Sequence, residues 1–154
     1  MNEPSVFKGS VEIEQLGMPM NNSHFKADGT KVEHRWLHNA YGALMHRSTY
    51  QGLAERDNNQ LRPFVLTRSF FFGSQRYGAM WTGDSLTEYW CVPASVSMLL
   101  QLGVTGIVFG GTDLPGFEGN PTDDLFVQFY QLGVFMPFFR AHAGINNPNR
   151  EPWL

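Results

Sequence analysis

Cysteine is nearly absent from this sequence: Cys91 is the only one among 154 residues. A single thiol cannot form a disulfide within the chain, and no cysteine cluster is available to bind a metal. Charged residues are also sparse, at 16% with a formal net charge of −3. This balance provides neither a basic surface for nucleic acid nor an acidic tail, so we expect no nucleic-acid partner.

Long apolar runs are lacking as well. The most apolar stretch, 98–109, contains Gln101 and two glycines and is too short to cross a bilayer, so we expect no membrane span. The first residues, 1–7, have no basic n-region and no apolar h-region, and we expect no signal peptide there. Aromatic residues, by contrast, make up 14% of the chain, which suits sugar-stacking surfaces and a large core equally well.

The spacing of apolar residues predicts helices that alternate with strands. The predicted helices are 34–54, 89–102 and 123–132, and the predicted strands are 64–72, 78–81, 106–109 and 134–139. In the second helix, Pro93 lies near the first turn and Gly103 is predicted as the C-cap. Residues 8–31 lack periodicity and are rich in glycine, proline, asparagine and serine, which predicts a surface loop insertion.

Nearly continuous apolar strands alternating with helices are typical of a parallel sheet that is covered on both faces. The fold class is therefore α/β, either a barrel or a doubly wound sheet. A complete (β/α)₈ barrel usually needs about 250 residues, and this chain has 154. It is either a small domain or part of a larger one.

Polar residues lie within or directly after the predicted strands, at the positions where a parallel barrel binds its ligand. They are Arg68, Asp84, Asp113, Arg140 and His142. Because ligands lie outside the carboxyl ends of parallel strands, these side chains can converge on one pocket. The alternative is a set of buried structural ion pairs, such as Arg68 with Asp113.

Other candidate sites have weaker patterns. His34 and His38 lie four residues apart and could share a metal, but no HExxH motif and no third ligand accompanies them. We therefore predict exposed helix histidines, no metal site and no cofactor. Asn21 begins an Asn-Asn-Ser sequon and could carry a glycan.

At the strand ends the sequence resembles glycoside hydrolase family 31. The matching segments, in the order and spacing of the family, are 1–5, 62–70, 73–76, 81–84, 116–117 and 137–142. The resemblance runs almost from end to end. It implies that residues 1–154 are one partial domain, the second half of a (β/α)₈ TIM barrel from the end of strand 4 through strand 8.

The resemblance also implies a retaining exo-α-glucosidase. Asp84, in Trp-Thr-Gly-Asp, matches the general acid/base of the family. The family nucleophile is the Asp of a Trp-x-Asp-Met-Asn-Glu motif and would immediately precede Met1, so the 154 residues alone are expected to be inactive. The residues that match the subsite for the terminal glucose are Met1, Arg68, Trp81, Asp113, Phe117 and His142.

Within the family the resemblance is greatest to the neutral α-glucosidases that process N-glycans, especially at 138–142 and 150–154. It implies an oligosaccharide substrate with terminal α-linked glucose, a lumenal β-subunit as partner, and the lumen of the endoplasmic reticulum. A starch- or maltose-directed α-glucosidase, an α-xylosidase of the same family and a noncatalytic remnant are the alternatives.

Overall fold

The computed structural model describes residues 2–4 and 17–153. Its α-helices are α1 (His38–Glu55), α2 (Cys91–Val104) and α3 (Asp123–Gly133), and short 3₁₀ turns span His34–Trp36, Arg56–Asn59 and Ser74–Arg76. The strands are β1 (Ser23–Phe25), β2 (Lys31–Glu33), β3 (Leu66–Thr67), β4 (Ala79–Trp81) and β5 (Gly110–Gly111).

A parallel sheet in the order β3-β4-β5 forms the centre of the fold. Asn2 extends this sheet beyond β3 through a parallel bridge to Thr67. On the other side, the Phe138 N–H donates to the Gly110 carbonyl at 3.1 Å. The segments therefore lie side by side in sequence order, as successive strands of a parallel barrel do. This arrangement confirms the prediction of a partial barrel.

Close packing on both faces of the sheet explains its residue types. Ala79, Met80 and Trp81 of β4 are all buried, as expected for a parallel strand that is covered on both sides. A Cβ atom on Gly111 would lie 1.9 Å from the Phe138 carbonyl oxygen. Only glycine lets the next segment of the barrel approach the β5 backbone this closely.

Helices α2 and α3 cover this sheet through one shared apolar cluster, in which Leu125 and Phe129 of α3 are buried. Burying each of these side chains contributes about 1.5 to 3 kcal/mol. The Thr122 side chain caps α3 by accepting a hydrogen bond from the Leu125 N–H at 3.3 Å. Asp123 and Asp124 in the first turn add charge that favours the positive end of the helix dipole.

The predicted helices are confirmed to within a few residues, but several strand predictions are wrong in extent. Only Leu66–Thr67 of 64–72 is in the sheet, and the strand expected at 106–109 is Gly110–Gly111. The segment 134–139 joins the sheet through one hydrogen bond, from the Phe138 N–H to the Gly110 carbonyl. Gly103 is not a C-cap, because α2 continues to Val104 and the left-handed glycine is Gly106, with φ of 84°. The chain turns at Gly106, and the strand β5 lies at Gly110–Gly111 instead of at 106–109.

The part of the predicted loop insertion that the structure describes is not wholly irregular. β1 pairs with β2 as an antiparallel hairpin, with Ser23 opposite Glu33. Residues 8–16 of the prediction lie outside the described residues. Within the described ranges, no helix has both the length and the apolar character needed to cross a bilayer.

Candidate active site

Arg68 connects two carboxylates at the carboxyl ends of neighbouring segments of the sheet. Its Nη1 atom lies 2.9 Å from Oε1 of Glu3 and 3.4 Å from Oδ2 of Asp84. The side chains of all three residues are partly exposed, at 34% for Arg68, 21% for Glu3 and 44% for Asp84. The Asp84 carboxylate is therefore held beside the end of the Asn2 segment while it remains open to solvent.

The residue before Asp84 must be glycine for this arrangement to form. Gly83 has φ of 85°, in the left-handed region. A Cβ atom on Gly83 would lie 2.8 Å from the Arg68 Nε atom. Glycine thus permits both the turn after β4 and the close approach of the Arg68 guanidinium.

Asp113 and Arg140 form a second ion pair, between the ends of β5 and the segment beside it. Arg140 Nη2 lies 2.6 Å from Asp113 Oδ1, and the Asp113 side chain is fully buried. Burial raises the pKa of Asp113 above its usual range, whereas the hydrogen bond and charge of Arg140 act in the opposite direction. The Arg140 guanidinium also lies over the Trp81 ring, 5.8 Å from its centroid. Trp81 and Asp113 are thus both buried beside Arg140.

Phe117 and His142 form an aromatic pair at the same end of the sheet, with ring centroids 5.4 Å apart. The Phe117 N–H donates to the Ser85 carbonyl at 2.8 Å, and the His142 N–H donates to the Leu114 carbonyl at 3.1 Å. Both bonds connect the segments that follow neighbouring strands. They bring the Phe117 and His142 rings to the edge that carries Asp84.

The structure thus places most of the predicted site residues in pairs at one edge. Arg68 contacts Asp84, and Phe117 contacts His142. The alternative pairing of Arg68 with Asp113 is not the one formed, because Asp113 is bound to Arg140. Met1 lies outside the described residues.

Glu3 was missed as a site residue, although the signal was present. It is a charged residue in the first of the matching segments, and the rule that picked out Asp84 at a strand end applies equally to Glu3. Its contact with Arg68 spans 65 positions of sequence. The sequence thus offers Glu3 as a residue at a strand end, whereas its pairing with Arg68 is visible only in the fold.

The prediction of exposed helix histidines is wrong for His34. Its ring is buried and lies between two other histidine rings. His34 Nδ1 lies 3.0 Å from His24 Nε2, and His34 Nε2 lies 2.9 Å from His38 Nδ1. Burial, followed by the charges of His38 and His24, lowers the pKa of His34. Within residues 2–4 and 17–153, no group of three or more histidine, cysteine or acidic side chains is arranged to hold a metal.

Taken together, parallel strands in sequence order and carboxylates at their carboxyl ends define half of an α/β barrel with a candidate hydrolytic site. All 154 residues match the domain described as the glycosyl hydrolases family 31 TIM-barrel domain. The chain belongs to this family.

Individual relatives agree with this assignment. The chain is 51% identical over its whole length to the "Probable glucan 1,3-alpha-glucosidase" of Oryza sativa subsp. japonica, of which it covers 16%. A crystal structure of the glucosidase II alpha subunit, Glc1Man2-bound, superposes with a TM-score of 0.87 at 47% identity, covering all of this chain and 16% of that one. A crystal structure of the ER glucosidase II heterodimeric complex, consisting of the catalytic subunit and the binding domain of the regulatory subunit, also gives 0.87 at 47% identity, covering 99% of this chain and 16% of that one.

Proposed function

We propose that this chain forms the second half of the catalytic barrel of a retaining exo-α-glucosidase, with Asp84 as the general acid/base. The observation that carries this proposal is the position of Arg68, whose Nη1 atom contacts both Glu3 and Asp84. That contact holds Asp84 beside the end of the Asn2 segment. In the family pattern the nucleophilic Asp belongs to the Trp-x-Asp-Met-Asn-Glu motif, whose Asn and Glu match Asn2 and Glu3 of this strand end.

Retaining hydrolysis needs two carboxyl groups about 5 to 5.5 Å apart, so under this proposal the nucleophile carboxylate lies at that distance from Asp84. In the first step, protonated Asp84 gives its proton to the glycosidic oxygen as the bond from that oxygen to the anomeric carbon breaks. The nucleophile carboxylate forms an ester with the same carbon. In the second step, ionised Asp84 takes a proton from water as the water oxygen displaces the ester. Because carboxyl groups and water are sufficient, the reaction needs no cofactor.

The remaining residues suit recognition of the terminal glucose. Arg68 and His142 can bond sugar hydroxyls, and the Phe117 ring offers an apolar face to the C–H surface of the sugar. Asp113 Oδ2 is buried without a hydrogen-bond partner among the described residues. A sugar hydroxyl would satisfy it, as buried polar atoms require. The residues proposed for this subsite are Met1, Arg68, Trp81, Asp113, Phe117 and His142.

For the whole protein we propose an oligosaccharide substrate whose terminal glucose is α-linked, in N-glycan processing within the lumen of the endoplasmic reticulum. Two neighbours support this choice: the glucosidase II alpha subunit with Glc1Man2 bound, and the ER heterodimer with a regulatory subunit. The partner would then be a glucosidase II β-subunit. The chain spans 16% of the length of each.

The test uses a completed barrel, in which these 154 residues replace the matching segment of the glucosidase II alpha subunit. We expect it to hydrolyse a disaccharide with terminal α-1,3-linked glucose and to release α-glucose first, as followed by NMR. Asp84→Ala should lower kcat/KM by about 100-fold or more. Asp123→Ala, which removes an exposed carboxylate at the start of α3, should not change it.

Release of β-glucose first, or equal activity of Asp84→Ala and Asp123→Ala, would overturn the proposal. Faster hydrolysis of an α-xyloside than of the α-glucoside would identify the α-xylosidase alternative. Binding of glucose without turnover by a folded barrel would identify the noncatalytic one.

A further inference from the structure

The side chains of Asn147 and Arg150 form hydrogen bonds with the backbone of the loop 113–119. Asn147 Nδ2 donates to the Phe117 carbonyl at 3.2 Å, and its Oδ1 accepts from the Gly119 N–H at 3.1 Å. Arg150 donates from Nη1 to the Gly116 carbonyl and from Nη2 to the Gly119 carbonyl. The two side chains therefore bind the loop on both sides of Phe117.

The opposite side of loop 113–119 is bound to the segment that follows Asp84. The Phe117 N–H donates to the Ser85 carbonyl at 2.8 Å, and the Thr87 N–H donates to the Glu118 carbonyl at 2.8 Å. Arg150 Nη1 also lies 3.4 Å from Thr87 Oγ1. The guanidinium thus contacts both loops, one that carries Phe117 and one that begins at Asp84.

The environment of Arg150 is unusual for a cation. It is only 5% exposed, and its hydrogen-bond acceptors in the described structure are two backbone carbonyls and a hydroxyl. Burying a charge is costly unless its hydrogen bonds are satisfied. The planar guanidinium can donate to two carbonyls at fixed spacing, which a lysine ammonium cannot reproduce. Lysine at position 150 would therefore keep the charge but lose the paired contacts with both carbonyls.

The backbone of Arg150 is itself anchored to the core. Tyr130 on α3 donates from its hydroxyl to the Arg150 carbonyl at 2.8 Å, and Phe129 beside it is fully buried. The contacts with loop 113–119 are therefore connected to a packed helix. Any shift of loop 113–119 would have to break these bonds together.

We propose that Asn147 and Arg150 are positioning residues that hold the Phe117 ring against His142 and so shape the glucose subsite. This inference rests on the proposed function of that subsite. Neither side chain needs to touch the substrate. Their effect on catalysis would pass through the loop backbone, which differs from a role that only stabilises the fold.

The experiment compares Arg150→Met, Arg150→Lys and Asn147→Asp in the completed barrel, with Arg47→Met, an exposed helix residue, as the matched control. For Arg150→Met we expect KM for the terminal glucoside to rise on the order of tenfold, with a smaller fall in kcat, because misplaced binding groups weaken substrate binding. Arg150→Lys should restore part of the loss. Asn147→Asp should also raise KM, because the aspartate side chain has the size of asparagine but lacks the amide donor.

Hydrogen exchange provides a readout that does not depend on activity. The Phe117 and Glu118 amides should exchange faster in Arg150→Met than in the control, whereas the amides in the middle of α2 should keep their protection. If Arg150→Met does not fold, Arg150→Lys and Asn147→Asp supply the same comparison.

The inference is overturned if the variants keep the KM and the amide protection of the control, or if they lose stability throughout the barrel with KM unchanged. An inactive completed barrel would instead refute the proposed function. Hydrogen exchange would then still decide whether Arg150 and Asn147 fix the loop.

Discussion

The guanidinium of Arg140 lies 2.6 Å from the carboxylate of Asp113, in a position where that carboxylate is wholly removed from solvent. Arg140 follows the segment that pairs with β5, and Asp113 follows β5 itself, so the ion pair joins adjacent strand ends. It leaves one oxygen, Asp113 Oδ2, without a partner in the described structure. The pair therefore orients a buried carboxylate through one of its two oxygens.

Removing the arginine from this pair should be strongly destabilising. We expect Arg140→Met to lower the free energy of unfolding of the completed barrel by about 3 to 5 kcal/mol, because an uncompensated charge stays buried. Asp113→Leu combined with Arg140→Met should recover much of the loss, since both charges are then gone. Urea denaturation measures the stability of the single and the double variant. Equal urea midpoints for Arg140→Met and the unsubstituted barrel would contradict the prediction.

His46 should make the barrel less stable in mild acid. The ring is fully buried on α1, and burial lowers its pKa. Above the ordinary histidine value of about 6.5 neither the folded nor the unfolded state binds a proton here. Below this pH the imidazole is protonated in the unfolded state but remains neutral in the folded state. The free energy of unfolding therefore falls as the pH falls towards the lowered pKa of His46 in the folded protein.

The comparison for His46 is the urea midpoint at pH 7.5 and at pH 5, measured for the unsubstituted barrel and for His46→Phe. The phenyl ring can occupy the same place against Tyr77, whose ring centroid lies 5.8 Å from that of His46. Because phenylalanine does not titrate, the midpoint should fall less in the variant. The same fall in both proteins would show that other groups, such as His34, account for the effect.

The sequence predicted the helices well because their signal is local. Apolar residues recur along one face of α3, and Thr122 with the following aspartates marks its start. Strand ends were predicted poorly because their hydrogen bonds depend on neighbouring segments. β5 consists of two glycines, which local propensity disfavours, and close approach by the Phe138 backbone selects glycine at position 111.

The candidate site shows the same limit. Residue types at strand ends predicted that Arg68, Asp84 and Asp113 lie at one edge of the sheet. They did not predict which of these residues form ion pairs with each other. Asp113 follows β5 and Arg68 follows β3, which are separated by β4. Arg140 comes from the adjacent segment instead. Strand order, which the sequence alone does not state, therefore decides the partner. The catalytic and sugar-binding roles remain predictions.

Gly83→Ala tests whether the turn before Asp84 positions Arg68. The new Cβ atom would have to displace the Arg68 guanidinium, and alanine is strained at φ of 85° by about 1 to 2 kcal/mol. We expect kcat/KM of the completed barrel to fall by about tenfold or more. Gly52→Ala, in α1 where the added Cβ meets nothing within 4 Å beyond its chain neighbours and the adjacent helix backbone, should keep full activity. Unchanged kinetics for a folded Gly83→Ala barrel would separate this turn from catalysis.

Asp84→Ala provides the sharpest test of the acid/base assignment, because the two steps of the reaction need Asp84 for different reasons. Natural glucosides have sugar leaving groups that must be protonated, so their hydrolysis should be nearly abolished. Activated aryl glucosides need that proton less, and their first step should survive better. No base then activates water for the second step, so the covalent glucosyl intermediate should accumulate and be detectable by mass spectrometry.

Azide should restore turnover of the aryl glucoside by Asp84→Ala, because it is an anion that attacks without losing a proton. Azide would enter through the space left by the Asp84 carboxylate. The Asp84 side chain is 44% exposed in the unsubstituted chain, so this space is open to solvent. Two inversions at the anomeric carbon would give α-glucosyl azide, with the configuration of the substrate. Arg68→Ala should gain nothing from azide, since its Asp84 still supplies the base. Equal losses on natural and activated substrates, with no intermediate and no azide product, would leave Asp84 as a structural carboxylate bound to Arg68.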